Sequence, residues 1–397
     1  MSHPAHGATT PDAPPITCDE PGSFAWNVFQ VRHPVLIGRI LESVPYGTAQ
    51  RQACAALLEE SRHGTVAPLP ADAADAAAWE VWGQGRYGGP WPELPFLWAE
   101  SFFYRRLLEA TGYLADGPWH GLDFFAPFKD AELEGHGFAG DLAALDDLAV
   151  LTQEEREQRL LTAAVWGNQA DLGFTIAGEP GAAPEPSGTY VADESGRLWP
   201  LLDGGQVVVV ADNSAREILA DLVFIDHLLA TGRAGRVELM LKPRPYFVSD
   251  ATPRDVLMCL RRMTHAPGAA GSIGHRLADA LRADRLTLST HPFACAPLPY
   301  DALPGDLRER FAAAAVTVMK GDLNYRRLVG DRHWAATVPF ADVTAYFPGP
   351  VAALRTLKSD TLTGADARTV ARLDATGTPW RTTGTHALIQ VGTPGQG

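Results

Sequence analysis

Cysteine is scarce in this chain, and nothing in the sequence pairs the few cysteines that it has. Among 397 residues there are four, Cys18, Cys54, Cys259 and Cys295, and no two of them form a CxxC pair. A disulfide framework or a cysteine-based zinc site needs such clustering, so neither is expected. The pattern is typical of reduced thiols in a cytosolic protein, and we therefore expect a cytoplasmic location.

Positive charge is also in deficit, and long apolar runs are missing. The chain carries 33 Lys and Arg against 47 Asp and Glu, a net charge of −14, which disfavours nucleic acid and anionic membranes as partners. No apolar run approaches the roughly 18 residues that a membrane span needs. The first residues, MSHPAHGATTPDAPP, lack the basic and apolar segments of a secretion signal, so we expect a disordered tail over residues 1–20. The composition does not indicate an oligomeric state.

The common catalytic and nucleotide-binding motifs are absent as well. There is no GxxxxGK[ST], no GxSxG, no HExxH and no GxGxxG after a predicted strand. These absences disfavour a P-loop nucleotide site, a serine-hydrolase site and a helix-borne zinc site. The missing glycine fingerprint also weakens a dinucleotide or S-adenosylmethionine site of the usual Rossmann kind.

What the chain does contain is a hydrophobic fraction of 46%, enough for a substantial core. Up to about residue 172, apolar residues recur at three- and four-residue spacing, which predicts helices. A low-complexity linker, residues 178–188, separates this region from valine- and leucine-rich runs that alternate with helical patterns. Such alternation predicts βαβ units and a mostly parallel sheet. The expected fold is α/β, with an N-terminal helical domain (residues 21–190) packed on a Rossmann-like α/β domain (residues 191–397).

In the second region, short apolar runs predict strands and longer periodic stretches predict helices. The predicted strands are Val207–Val210, Val237–Leu241, Tyr246–Ser249, Leu286–Leu288, Ala315–Met319 and Ala387–Val391. The predicted helices are Ala215–Thr231, Thr252–Arg262, Ile273–Ala283, Pro304–Ala312 and Pro350–Ser359.

The most informative stretch lies where four consecutive valines, Val207–Val210, run into Asp212 and Asn213. A buried parallel strand that delivers a carboxylate and a carboxamide to its carboxyl end is how open α/β sheets build sites. Both side chains are hard oxygen ligands that suit a divalent ion such as Mg²⁺ or Mn²⁺. The alternative is that Asn213 or Ser214 only caps the next helix. Glu217, one turn further on, is placed to orient a ligand.

A second acidic residue, Asp250, follows the short apolar run Tyr246–Ser249 in the same manner. Paired with Asp212 from a neighbouring strand, it predicts a third metal ligand. The alternative is an N-cap, because a helical pattern begins just after it. Lys242, a few residues earlier, is typical of a solvated surface charge.

The segment Lys320–Leu328, KGDLNYRRL, concentrates polar groups directly after another apolar run. Asp322 and Asn324 have the chemistry to bind metal-bound water or ligand hydroxyls, and Arg326 to bind a phosphate through two N–H groups. Gly321 would let backbone N–H groups approach an anion. The alternative is a polar loop that caps a helix.

Two further positions carry charge on predicted helices. Arg355 and Lys358 share a face of the helix predicted for Pro350–Ser359. Two cations would suit a phosphate, but composition alone favours a solvated face. Glu100 lies in an aromatic-rich helical pattern with a basic edge, which by itself indicates a core helix.

Together and in this order, the motifs resemble those of the damage-control phosphatases, formerly domain of unknown function 89. The resemblance is to the acidic-residue methyltransferase-like group, sugar phosphate phosphatase subfamily III, which an Arg-Thr-x-Lys motif marks. WGNxADL, DNSxxE and KGDLNYRRL are its most specific motifs here. The segments that carry the resemblance are Glu100–Glu109, Trp166–Leu172, Asp212–Asp221, Phe247–Asp250, Lys320–Asp331, Thr337–Phe340 and Arg355–Lys358.

The resemblance implies a helical region packed on an α/β core and a divalent metal, commonly Mn²⁺, Co²⁺, Ni²⁺ or Mg²⁺. The implied metal ligands are Asp212, Asn213 and Asp250, and with Lys358 these are also the implied catalytic residues. The implied substrate-binding residues are Glu100, Asp322, Leu323, Asn324, Tyr325, Arg326 and Arg355. One local departure is Ala215-Arg216, where the family often has a glycine and an aromatic residue. Arg216 would alter the rim of the pocket and so bears on which sugar binds.

The implied activity is hydrolysis of small sugar phosphates such as fructose 1-phosphate and fructose 6-phosphate, so the expected partner is a small phosphorylated metabolite. Lys358 and Arg326 would cover phosphoryl oxygens, and the nucleophile is either a metal-activated water or the Asp212 carboxylate. The alternative activity attached to this group is S-adenosylmethionine-dependent methylation of protein glutamate carboxyls, which needs an adenosine pocket and no essential metal. A third interpretation is a catalytically silent sugar-phosphate-binding protein, which the implied metal ligands and Lys358 disfavour.

Overall fold

A seven-stranded sheet forms the centre of the part of the chain that the computed structural model describes, residues 13–167 and 189–394. The predicted linker 178–188 and the end of the WGNxADL motif, residues 168–172, lie outside the described residues. The strands are β1 (Thr189–Asp193), β2 (Gly204–Val210), β3 (Ala234–Leu241), β4 (Leu286–Thr290), β5 (Val316–Lys320), β6 (Val351–Thr356) and β7 (His386–Gly392). Their order across the sheet is β1-β7-β6-β5-β2-β3-β4.

The strand directions confirm a mostly parallel α/β sheet. Every neighbouring pair is parallel except β6 and β7, which are antiparallel. Strand β2 has β3 on one side and β5 on the other. The chain therefore extends the sheet in one direction from β2 to β4, and in the opposite direction from β5 onward. Open α/β sheets bind ligands at the carboxyl ends of strands beside such a change. The fold therefore predicts a site where β2 and β5 end.

Helices surround this sheet and extend from it. They are α1 (Phe24–Asn27), α2 (His33–Ser43), α3 (Thr48–His63), α4 (Ala76–Trp82), α5 (Phe96–Thr111), α6 (Ala126–Glu134), α7 (His136–Ala144), α8 (Gln153–Trp166), α9 (Ser195–Leu198), α10 (Ala215–Ala230), α11 (Pro253–Thr264), α12 (Gly268–Arg282), α13 (Gly305–Ala313), α14 (Gly321–Val329), α15 (Phe340–Val343) and α16 (Ala367–Asp374). A π-helical segment, Val28–Arg32, joins α1 to α2. Among the helices of residues 13–167 and 189–394, none has the length and apolar content to cross a membrane.

Strand β2 is apolar because both faces of the sheet are covered. Val207 and Val209 belong to the core that the sheet forms with α10, α11 and α12. Val208 and Val210 belong to the core on the opposite face, together with α13 and α14. Because successive side chains of a strand point to opposite faces, a strand covered on both sides needs an apolar residue at every position. The run of four valines satisfies this requirement.

The helices that precede the sheet in sequence divide into two groups. Helices α1 to α5 form an aromatic-rich core of their own, in which Trp79, Trp91 and Phe102 are buried. Helices α6 to α8 instead share the core of the sheet and pack against α10. Residues 13–20, assigned to a disordered tail from the sequence, are packed: the N–H of Ile16 donates to the carbonyl of Asp331 and Cys18 is buried.

Two predicted elements are wrong. The helix predicted for Pro350–Ser359 is replaced by strand β6, in which every residue is buried. Its alanines and leucine favour a helix locally, but pairing with β5 and β7 on both sides overrides that propensity. The strand predicted for Tyr246–Ser249 is a turn in which Phe247 has φ 52°. Its link to the end of β2 is an isolated bridge between Asn213 and Asp250.

Arg327 contributes to the stability of the fold. Its guanidinium group is fully buried and donates to the carbonyl oxygens of Phe293, Ala294 and Leu298. Replacing Arg327 with leucine removes all three hydrogen bonds, although the carbonyl of Phe293 still accepts from Ala296 and that of Ala294 from Lys242. We expect the free energy of unfolding, measured by urea titration, to fall by about 3 kcal/mol.

The control for this prediction is Arg282, an exposed residue on α12 that pairs with Asp279. Arg282→Leu removes the same charge and is expected to change the free energy of unfolding by less than about 0.5 kcal/mol. An equal loss in the two variants would show that the buried bonds of Arg327 contribute no more than a surface ion pair.

Candidate active site

A cavity of about 460 Å³ opens where β2 and β5 end. Eight residues singled out in the sequence line it, and they come from α5, α14 and the segments that follow β2, β3 and β6. They are Glu100, Asp212, Asn213, Asp250, Asp322, Leu323, Arg326 and Lys358. A smaller cavity of about 270 Å³ lies between α10 and α12 and is lined by none of these residues. The fold thus gathers distant parts of the chain at the position that its strand order predicts.

The side chain of Asn213 is fixed between two carboxylates and a hydroxyl. Its Nδ2 donates to Oδ2 of Asp212 at 3.0 Å and to Oε2 of Glu217 at 2.9 Å. Its Oδ1 accepts a hydrogen bond from Oγ of Ser249 at 2.6 Å. Ser214, which precedes α10, makes no side-chain capping bond. The Asp212-Asn213 pair therefore faces the cavity and does not cap the helix.

The carboxylates at this end of the cavity repel one another. Burial raises the pKa of Asp212 well above its usual range, and the neighbouring charges of Glu217 and Asp250 raise it further. Burial also raises the pKa of Asp250 to about 6, although Lys242 and Lys129 partly offset the rise. A bound cation would favour the charged forms of both carboxyls and so lower their pKa values.

The oxygens of this group fit a hard divalent ion. Asp212 and Asp250 supply carboxylate oxygens and Asn213 a carboxamide oxygen, the donor types that Mg²⁺ and Mn²⁺ prefer. Oδ2 of Asp250 is buried without a hydrogen-bond partner, and Nζ of Lys242 lies 3.4 Å from it. Within residues 13–167 and 189–394, no three His, Cys, Asp or Glu side chains form a metal-binding group. An ion at this position would therefore need the Asn213 amide oxygen as its third protein donor.

Two lysines that sequence reasoning missed hold Asp250 in place. Lys129 on α6 is buried, and its Nζ donates to the backbone carbonyl of Asp250 at 3.1 Å and to Oδ2 of Asp255 at 2.8 Å. Lys242, interpreted from the sequence as a solvated charge, is 3% exposed and pairs with Asp250. Thr252 and Asp255 form the capping box of α11, so Asp250 is not the cap.

The end of β5 approaches Asp212 closely because residue 321 is glycine. Gly321 has φ +80°, and a Cβ atom built on it would lie 1.7 Å from Oδ2 of Asp212. The preceding residue, Lys320, is buried and its ammonium group donates to Asp221. A side chain at position 321 is therefore incompatible with the observed position of the Asp212 carboxylate.

The KGDLNYRRL segment forms helix α14, and its Asp322 is held by groups that follow β6. Oδ1 of Asp322 accepts from Nε of Arg355 at 2.8 Å and from the backbone N–H of Lys358 at 3.1 Å. Burial by itself would raise the pKa of Asp322, but the charges of Arg355 and Arg326 lower it below its usual value. Asp322 is therefore a carboxylate at neutral pH, and it fixes the backbone from which Lys358 projects.

Arg326 lines the cavity, but its guanidinium group is already engaged. Nε and Nη2 donate to the two carboxylate oxygens of Asp331 at 2.8 and 2.9 Å, and Nη1 donates to Oε2 of Glu100 at 2.8 Å. Burial raises the pKa of Glu100 to about 7, although Arg326 opposes the rise. Arg326 thus holds Glu100 at the cavity, where the carboxyl group of Glu100 titrates near neutral pH.

Three residues assigned to the substrate from the sequence are not among those that line the cavity. Asn324 is buried and donates to the backbone carbonyls of Lys320 and Ala211. The hydroxyl of Tyr325 donates to Gln390. Arg355 lies on β6 and not on a helix, so it shares no helical face with Lys358, and it is fully buried against Asp322 and Ser359.

Arg216, the departure from the family pattern, also lies away from the cavity. Its Nη2 donates to Oδ1 of Asp141 on α7 at 2.9 Å. It is not among the residues that line the cavity. The expected change of the pocket rim is therefore not seen, because Asp141 holds the guanidinium group against α7.

Comparison with known proteins identifies relatives along most of the chain. Residues 28–373 match the family described as the damage-control phosphatase ARMT1-like domain. A damage-control phosphatase ARMT1 from Rattus norvegicus is 27% identical, covering 96% of this chain and 98% of that protein. The Danio rerio protein of the same name is 25% identical, covering 94% of this chain and 95% of that protein. The human protein is 28% identical, covering 77% of this chain and 76% of that protein.

Among solved structures, one that matches this chain is that of a DUF89 family protein from Pyrococcus horikoshii. It is 16% identical, covers 87% of this chain and 93% of that chain, and superposes with a TM-score of 0.48. Because the family match extends over residues 28–373, the chain belongs to the damage-control phosphatase ARMT1-like family, a family of phosphatases.

Proposed function

We propose that this protein is a divalent-metal-dependent phosphatase that hydrolyses small sugar phosphates or related phosphorylated metabolites. The observation that carries the proposal is the presence of two buried, mutually repelling carboxylates, Asp212 and Asp250, in the same cavity as Lys358. Within the described part of the chain, the ammonium group of Lys358 forms no ion pair. The cavity therefore has one end suited to a cation and, beside it, a lysine available for an anion.

Asp212, Asn213 and Asp250 would hold the ion, which we propose to be Mn²⁺, Co²⁺, Ni²⁺ or Mg²⁺. When bound, the ion would supply positive charge that offsets the charge on the phosphoryl oxygens. Lys358 would bind a further phosphoryl oxygen and stabilise the charge that builds up there. Water would add across the P–O bond, and inorganic phosphate and the free sugar would leave.

Some of the remaining residues predicted from the sequence would contact the substrate, and the others would hold those residues in place. Asp322, Leu323 and Glu100 line the cavity and would contact the sugar, with Glu100 hydrogen-bonded to a hydroxyl. Arg326 would act through Glu100, which it holds, and Arg355 through Asp322. We propose that Asn324 and Tyr325 support helix α14 rather than touch the substrate.

Carboxyl methyl transfer is not favoured, because the family and the relatives are named as phosphatases. We propose a cytoplasmic location, for which the support is that all four cysteines are free and buried. The partner would be a small phosphorylated metabolite.

Asp250→Asn removes one carboxylate charge while keeping the shape of the side chain. We expect phosphate release from fructose 1-phosphate, assayed after chelation and re-addition of Mn²⁺, to fall at least about a hundredfold. The thermal midpoint of the chelated variant should stay the same or rise, because neutralising one of two repelling buried carboxylates removes an unfavourable charge. As a control, Asp279→Asn changes an exposed carboxylate on α12 and should leave turnover unchanged. Full activity of the Asp250→Asn protein would contradict the metal assignment.

Metal binding should depend on pH because protons compete with the ion for the same oxygens. Burial raises the pKa of Asp250 to about 6 and raises that of Asp212 as well, so in mildly acidic solution a proton on Asp250 competes with the ion. Each pH unit below about 6 should weaken Mn²⁺ affinity about tenfold, the effect of one competing proton. Calorimetric titration of the chelated protein across this range measures the effect. An affinity that does not vary with pH would contradict the assignment of these carboxyls as ligands.

Lys129→Met tests whether α6 positions Asp250. Losing the bond to the Asp250 carbonyl should weaken Mn²⁺ affinity about tenfold to a hundredfold, and Lys129→Arg should restore part of it. The matched control is Arg254→Met, which breaks the exposed pair with Asp130 that joins the same two helices, α6 and α11. If Lys129→Met lowered the thermal midpoint without changing Mn²⁺ affinity, Lys129 would be a stabilising residue alone.

A further inference from the structure

The cavity extends beyond the proposed metal site to a wall formed by α1, the π-helical segment and α2. Val31 and Val35 on this wall are 50% and 60% exposed. Val28 and Leu36 continue the apolar surface and are buried. Large aliphatic side chains that remain exposed along a cavity indicate a surface that a ligand contacts. This wall is therefore largely apolar, whereas the end of the cavity at Asp212 is acidic.

Two arginines interrupt the apolar wall. Arg32 and Arg39 both line the cavity, and seven residues of helix separate them by about 10 Å. The guanidinium carbon of Arg32 lies 5.5 Å from the ring centre of Phe24, and that of Arg39 lies 4.6 Å from the ring centre of Phe128. Neither arginine forms an ion pair with any residue in 13–167 or 189–394. The wall thus carries two cations available to a ligand.

The other cations of the cavity are placed differently. Arg326 is engaged by Asp331 and Glu100. Lys358 is close enough to Asp212 to lower its pKa, opposing the larger effect of burial. Burial has the largest effect on the pKa of Glu100 and raises it, and Arg326 has the second largest and lowers it. Arg32 also lowers the pKa of Glu100, by a smaller amount. Lys358 therefore lies near the carboxylate pair, whereas Arg32 lies near Glu100.

We propose that the preferred substrates are phosphomonoesters that carry a second anionic group, a phosphate or a carboxylate, at the end remote from the reacting phosphoryl group. Arg32 and Arg39 bind that group, while Val31 and Val35 contact the carbon skeleton between the two ends. In a chain of net charge −14, two arginines without an ion-pair partner among the described residues form a local attraction for an anion. The inference rests on the proposed function, since it concerns the same cavity.

The test compares fructose 1,6-bisphosphate with fructose 1-phosphate as substrates of the Mn²⁺-loaded protein. The wild type should favour the bisphosphate by about tenfold or more in kcat/KM. The double variant Arg32→Ala/Arg39→Ala should lose about tenfold more in kcat/KM for the bisphosphate than for fructose 1-phosphate. Most of that loss should appear in KM, because the remote group binds equally in the ground state and the transition state.

The control is Arg262→Ala, which removes an exposed positive charge on α11 and should leave the ratio of the two substrates unchanged. Circular dichroism and the thermal midpoint show whether the double variant is folded. A wild type that turns over fructose 1-phosphate at least as well as the bisphosphate overturns the inference and leaves the proposed function standing. Equal losses for the two substrates in the double variant overturn it as well. No phosphate release from either ester would overturn the proposed function itself.

Discussion

The burial of carboxylates that repel one another, at the end of β2, is the constraint on which the rest of the site depends. Asp212, Asp250 and Glu217 lie close together and are buried. Such an arrangement is unfavourable unless cations compensate it. Lys242, Lys129 and Lys320 supply part of that compensation from three directions. The lysines oppose the effect of burial but still leave the pKa of Asp250 raised to about 6, so a divalent ion bound there would stabilise the carboxylate forms further.

The arginines of the family motifs bind carboxylates that line the cavity. Arg326 joins the helical core to the sheet, because it lies on α14 and binds Glu100 of α5. Arg355 ties β6 to α14 through Asp322. Both guanidinium groups use their planar donors on protein acceptors, which rigidifies the cavity walls before any ligand arrives. The arginines that the sequence assigns to substrate binding thus hold the walls of the cavity in place in the structure.

Much of the fold could be predicted because its signals are local. The four valines predict β2, and the change of side-chain type at Asp212 predicts its end. The error at β6 arose because a short run of alanine and leucine carries no sign of the two strands that pair with it. Lys129 was missed because 121 residues separate it from Asp250, and no local pattern records such a contact. Whether an arginine is available to a ligand depends likewise on partners such as Asp331, which only the three-dimensional structure shows.

Gly321 and the exposed valines of the cavity wall, Val31 and Val35, differ in how freely they can be substituted during evolution. Any side chain at position 321 would collide with Oδ2 of Asp212, so this codon tolerates no missense mutation without displacing the carboxylate. Val31 and Val35 are half exposed, and new side chains there disturb little packing. Substitutions at position 321, beside Asp212, are therefore restricted, while substitutions at Val31 and Val35 are tolerated. Substitutions on the wall formed by the π-helical segment and α2 can therefore change which substrates are preferred, while Asp212 and Gly321 stay the same.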